Sequence, residues 1–285
     1  TRNAQVFAEL KEITPGGVNS PFRAFQQVEG EPPIIERGQG CYVFDVEGTR
    51  YFDLCCAWGP VVLGHNHPAI SRAVQEALAH GPIFGAPTRW ELDCARAVRN
   101  ALPSMEQVRF VNSGAEAVAS CLRVARGVTR RPRIMKFEGG YHGHVECLDS
   151  AGAEAEELGG PLALGASPGA AAETLVATYN DLASVEQLFS QYPGEIAAVI
   201  VEPVTGSMGV IVPEPGFLQG LKDVCSRHGS LLIFDEVLSG FRVGYGGAQG
   251  LLGITPDLTS LGKALAGGLP IGAYGGRQEL MSQVA

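Results

Sequence analysis

An α/β fold, with a mainly parallel sheet covered by helices, is predicted by three features of this sequence. Residues 197–201 (Ala-Ala-Val-Ile-Val) and 231–234 (Leu-Leu-Ile-Phe) are short and apolar without alternation, as strands covered on both faces are. Such runs alternate with stretches of helical periodicity from about residue 108 onward. The polar residues with reactive or ligand-binding side chains follow the runs, where an open parallel sheet binds its ligands.

The elements are read in chain order. Residues 1–12 carry charges of both signs at helical spacing, and Pro15-Gly16-Gly17 ends that helix. Residues 41–54 alternate as two paired strands about a turn at Glu47-Gly48. Residues 68–80 and 88–102 have helical spacing of apolar side chains. Strands are then expected at 108–111, 134–137, 197–201, 231–234, 258–261 and 271–274. Helices are expected at 114–126, 183–190 and 217–227, with right-handed crossovers. Residues 148–173 are rich in Gly, Ala and Pro and lack a period, which suggests a binding loop or lid. The division expected is an N-terminal segment, 1–60, and a large α/β domain, 61–285. The last residues read as the middle of a helix, so a fragment is expected.

Composition narrows the function classes. The 285 residues carry a formal net charge of −9, which argues against a nucleic-acid binder. No apolar run reaches the ~18 residues of a membrane span, and residues 1–12 lack the apolar centre of a signal peptide. Seven cysteines without a C-x-x-C pair suggest reduced thiols in a cytoplasmic protein.

Lys263 is the one charge besides Asp257 in residues 257–270. An ammonium among apolar groups loses hydration, and its neutral amine becomes a nucleophile toward aldehydes. Asp235 lies 28 residues earlier, at the end of an apolar strand, where a carboxylate needs a partner such as a protonated ring nitrogen. Ser113 with Glu116 fits a capping box, so a helix start able to hold phosphate follows the 108–111 strand. Tyr141, within Gly139-Gly140-Tyr141-His142-Gly143, is placed to stack on a flat ring. A zinc reading of His142, His144 and Glu146 lacks a fourth ligand at recognisable spacing, and no metal is expected. His65-Asn66-His67 reads as a loop or a satisfied histidine pair. Gly244–Gly247 lacks the dinucleotide fingerprint, and Gly262-Lys263 lacks the phosphate-loop spacing. A phosphate cup, a stacking ring, a carboxylate and a nucleophilic lysine in this order describe pyridoxal 5′-phosphate (PLP) chemistry.

At these residues the chain resembles the fold-type-I PLP enzymes of the class-III aminotransferase group, over nearly all its length. The resemblance rests on residues 14–21 (Thr-Pro-Gly-Gly-Val-Asn-Ser-Pro) with Arg23-Ala24-Phe25, and on Asn112-Ser113-Gly114 and Gly140-Tyr141-His142-Gly143. It continues through Val201-Glu202-Pro203-Val204, Phe234-Asp235-Glu236-Val237 and Leu261-Gly262-Lys263. Within that group the first of these motifs is similar to the aminomutases, whose reaction is an internal amine exchange.

The resemblance implies that Lys263 is catalytic and holds the cofactor aldehyde. It implies that Asp235 pairs with the ring nitrogen, Val237 packs beneath the ring and Tyr141 stacks on it. Ser113, Gly114 and Ala115 would hold the phosphate, with His142 and Glu202 completing the cofactor site. Ser20, Arg23, Trp58 and Ser207 would meet the substrate, Arg23 as a bidentate partner of its carboxylate. Residues 148–173 would match the family's gating loop, and a homodimer acting on a small amino or aldehyde substrate would be the working form. A smaller C-terminal domain would be absent from this chain. Two positions depart from the group's pattern: Ala115 stands where a threonine is usual, and Ser207 where an asparagine is usual. They keep open the alternative of an aminotransferase that releases its first product.

Overall fold

The computed structural model describes residues 1–26, 28–149 and 167–284. They form two compact units, 1–84 and 85–285.

In the first unit, helix α1 (Arg2–Ile13) starts at Thr1, whose side chain accepts from the Ala4 amide at 3.2 Å. An antiparallel sheet of β1 (Ile35–Gln39), β2 (Tyr42–Asp45) and β3 (Arg50–Phe52) follows. Its hub is Asp45, which accepts from Asn3 Nδ2 and Tyr51 Oη at 2.9 Å each and from the Glu47 and Thr49 amides. Burial pushes this carboxyl up, but the four donors outweigh it and bring its pKa down to about 2. Strand β1 escapes a reading of the sequence because Ile-Glu-Arg-Gly-Gln is polar and stays largely exposed.

His65 pairs with Asp53 (Nε2 to Oδ2, 2.6 Å) and exchanges two backbone hydrogen bonds with Gly40. His67 caps helix α2 (Pro68–His80) by accepting from the Ala69 amide. The histidine pair is thus satisfied structurally. These bonds tie residues 61–80 to the small sheet, and the units divide between Phe84 and Gly85, later than the expected division after residue 60.

The second unit opens with α3 (Arg89–Ala101), held by a complete Thr88/Glu91 capping box. Then come β4 (Gln107–Val111), α4 (Gly114–Thr129), β5 (Arg133–Phe137), α5 (Glu146–Asp149), α6 (Pro168–Ala172) and β6 (Thr174–Ala177). They are followed by α7 (Leu182–Gln191), β7 (Ile196–Val201), α8 (Phe217–His228), β8 (Leu231–Asp235) and α9 (Gly247–Leu252). The described part closes with β9 (Leu258–Leu261), β10 (Gly272–Gly276) and α10 (Gln278–Met281). The strands form one seven-stranded sheet of order β4-β10-β9-β8-β7-β5-β6. Among the described strands, only β10 runs antiparallel to its neighbours.

Alternate strand residues serve the two faces. Ile134, Ala198, Ile200 and Ile233 pack with α4, through Ala117, Val118, Cys121 and Leu122. Met135, Val199, Leu232 and Phe234 pack with α7 and α8, through Val185, Phe189, Leu221 and Val224. Each large side chain buried in this way contributes roughly 1.5–3 kcal/mol. This is the mainly parallel, doubly covered sheet expected from the apolar runs. Of the 148–173 connection, residues 150–166 lie outside the described residues, and the expected gating loop falls largely there. No described helix is long and apolar enough to cross a membrane.

Candidate active site

The site is assembled at the carboxyl ends of the parallel strands. After β4 the chain turns at Ser113, whose hydroxyl accepts from the Glu116 amide at 3.2 Å and so starts α4. The reciprocal half of the expected capping box is shifted by one residue: Glu116 accepts from the Asn112 amide at 2.7 Å. Among the described residues, no hydrogen bond engages the amides of Gly114 and Ala115, so both are available to an anion at the positive end of a four-turn helix.

The backbone here is packed too closely for side chains. A Cβ on Gly114 would lie 2.8 Å from Val237, one on Gly143 2.7 Å from Ala115, and one on Gly272 2.2 Å from the Ser113 carbonyl. Val237 thereby fills the space between Gly114 and Gly262.

Asp235 ends β8 and is 4% exposed. Its Oδ2 lies 2.7 Å from His142 Nδ1, and its Oδ1 accepts from Ser260 Oγ at 3.0 Å and the Val237 amide at 3.1 Å. His142, itself buried, therefore acts on the carboxylate that the sequence singled out. Lys263 follows β9 with φ of +42°, a left-handed conformation that is strained for a side-chain-bearing residue. Burial lowers its pKa, the carboxylates of Asp235 and Glu202 pull it back up, and Arg242 lowers it further. The net direction is down, which favours the free amine.

Glu202, at the end of β7, accepts from the amides of Tyr141 (3.3 Å), Gly206 (2.8 Å) and Ser207 (3.4 Å), and from the Ser207 hydroxyl. Tyr141 itself is half exposed.

One cavity of about 320 Å³ collects Gly114, Ala115, Tyr141, His142, Glu202, Asp235, Val237 and Lys263 in its wall. Ser113 and Ser207 are not in that wall: their hydroxyls are engaged with Glu116 and Glu202 respectively. Ser20, Arg23 and Trp58 belong to the first unit, on two short 3₁₀ turns, with the Phe22 and Trp58 rings 6.0 Å apart. Val118, Gly143, His144 and Leu238 also line the cavity and carried no signal in the sequence beyond, for Gly143 and His144, their place in a motif. Among the described residues no group of three or more His, Cys, Asp or Glu is placed to hold a metal. The residues present fit a flat ligand with an anion at the start of α4, a protonated ring nitrogen at Asp235 and an aldehyde at Lys263.

The profile of the aminotransferase class-III family matches residues 25–285. Curated glutamate-1-semialdehyde 2,1-aminomutases of Roseiflexus castenholzii and Desulforudis audaxviator are each 54% identical over all 285 residues. The chain spans 66% of the length of each of these relatives. Among solved structures, an omega-transaminase from Sphaerobacter thermophilus matches 99% of this chain and 65% of its own length, with a TM-score of 0.90 and 37% identity. A glutamate-1-semialdehyde-aminomutase from Pseudomonas aeruginosa PAO1, solved in complex with PMP, matches 99% of this chain and 62% of its own length, with a TM-score of 0.87 and 26% identity.

Proposed function

The chain belongs to the class-III aminotransferase family, and on that premise we propose that it carries the PLP site of a glutamate-1-semialdehyde 2,1-aminomutase. The reaction is the conversion of glutamate-1-semialdehyde to 5-aminolevulinate, a step of tetrapyrrole synthesis. The observation that carries the reading is one cavity shared by Lys263, Asp235 and the start of α4. The 54% identity to curated aminomutases favours an aminomutase over the wider group.

PLP supplies, when bound, an aldehyde that takes up amines and a ring that withdraws electrons from the carbon bearing them. The chain's residues do the rest. The Gly114 and Ala115 amides bind the phosphate, and Ala115 contributes no hydroxyl to it. Asp235, fixed by His142 and Ser260, holds a proton on the ring nitrogen. Val237 would pack beneath the ring and Tyr141 would stack on it. Lys263 would present Nζ as the nucleophile toward the cofactor aldehyde and would serve as the proton carrier at Nζ.

The second reading is an aminotransferase, favoured by Ser207 at a position where the group usually carries an amide. The test uses the whole protein loaded with pyridoxamine phosphate. Glutamate-1-semialdehyde is added without another amine acceptor, and 5-aminolevulinate is followed. Catalytic formation establishes the aminomutase. No product, with turnover once amine donors and keto acids are supplied, makes it an aminotransferase. The setting proposed is the cytoplasm, in keeping with seven cysteines that show no C-x-x-C pair, and the working form proposed is a homodimer, to be checked by light scattering.

A further inference from the structure

We infer that Ser207 is a positioning residue: its hydroxyl locks the Tyr141 backbone to the Glu202 carboxylate at the wall of the cofactor cavity, and it does not touch substrate. The inference rests on the PLP reading of that cavity. The Tyr141 amide is shared between Ser207 Oγ at 3.1 Å and Glu202 Oε1 at 3.3 Å, while the Ser207 hydroxyl donates to the same Oε1. One hydroxyl thus accepts from the segment bearing the stacking ring and donates to the buried carboxylate that faces Lys263. Ser207 supplies two of the four donors that satisfy Glu202.

The lock is held from behind by a closed loop. Thr205 and Ile211 bridge it, with the Thr205 amide donating to the Ile211 carbonyl at 3.1 Å and the Ile211 amide to Thr205 Oγ1 at 3.0 Å. The loop accepts a β-branched residue, Val210, at φ of +64°, a conformation that such residues rarely adopt. On one side of Ser207, Gly206 abuts Leu238, whose Cδ2 would lie 1.5 Å from an added Cβ. On the other side Met208 covers Gly139, where an added Cβ would lie 2.6 Å from Met208 Cγ. The 205–211 loop therefore has little freedom to swing Ser207 toward a substrate. An Ala side chain cannot make either bond, and a Thr side chain can make both.

The test compares wild type with Ser207→Ala and Ser207→Thr in the whole protein. Hydrogen exchange of residues 138–144 is read by mass spectrometry without cofactor. The PLP dissociation constant, the visible circular dichroism of bound PLP and the substrate KM are read with it. Ser207→Ala is expected to speed exchange at the Tyr141 amide about tenfold and to weaken PLP binding roughly three- to tenfold, as loss of one or two hydrogen bonds does. The dichroism should shrink, KM should hold, and Ser207→Thr should restore all of these. Unchanged exchange and dichroism in Ser207→Ala overturn the proposal, and so does a raised KM with unchanged dichroism. If Ser207→Ala does not fold, Ser207→Thr against Ser207→Val repeats the comparison at equal size. Should borohydride fix no PLP onto wild-type Lys263, the cofactor reading itself falls, while the exchange measurement still decides the lock.

Discussion

Lys263 is held in a strained backbone conformation and in a buried environment that works against a resting ammonium. Its pKa is lowered in the folded protein, so between that lowered value and the ordinary lysine range the unfolded chain binds one more proton. Stability of the cofactor-free protein should therefore rise with pH across that window, and Lys263→Met should flatten this rise. Thermal melts of the two proteins from neutral to alkaline pH check the sign. For activity, Lys263→Ala should abolish fixation of PLP by borohydride and reduce turnover by about 10²–10⁴-fold, the usual contribution of a positioned proton carrier. Mass spectrometry and single-turnover assays read the two effects. Lys263 and Asp235 were legible in the sequence because a charge bordering or inside an apolar run is conspicuous. The Ser207–Glu202–Tyr141 bonds were not: they depend on a loop closing back on itself and joining residues 66 positions apart. His142 was legible as part of a motif, but its partner Asp235 lies 93 positions away and no local pattern links them.

The elements follow from period and burial. Strands β5, β7 and β8 and helices α4 and α8 were readable because each buries a continuous or regularly spaced apolar set, whereas α2 was readable from the spacing of its apolar residues although none of them is buried. Strand β6 (Thr-Leu-Val-Ala) emerged only with the structure, since four residues beside a Gly- and Ala-rich stretch carry too little pattern. The start of α4 depends on glycines for a steric reason, and this gives a prediction at this scale. Gly272→Ala would drive a methyl into the Ser113 carbonyl, where the ideal distance is 2.2 Å. We expect a loss of about 1–3 kcal/mol of stability, typical of overpacking, together with weaker PLP binding. Denaturant unfolding and a PLP titration check both. An unchanged titration alongside lower stability would separate the phosphate cup from the strand that backs it.

At the scale of the molecule, the cavity lies wholly within the second unit, so ligand binding should be read as stabilisation of that unit. PLP at about 100 times its dissociation constant should add roughly 2.7 kcal/mol. At about 2–4 °C per kcal/mol for a domain of this size, the melting transition should rise by roughly 5–10 °C. Calorimetry with and without PLP checks it, and Asp235→Asn should shrink the shift. The sheet order also has a consequence for how the chain is made. Strand β4 (107–111) is emitted early, but among the described residues its only neighbour in the sheet is β10 (272–276), which must enter between β4 and β9. During synthesis some 160 residues therefore leave the ribosome while β4 waits without a hydrogen-bonded mate. Its Gln-Val-Arg-Phe-Val sequence places an arginine in the middle of that unpaired strand, a charge of the kind that discourages strand-to-strand association between nascent chains. The helix start proposed to hold the phosphate is backed by the same late strand, so the cavity comes into being only after most of the sheet has been translated.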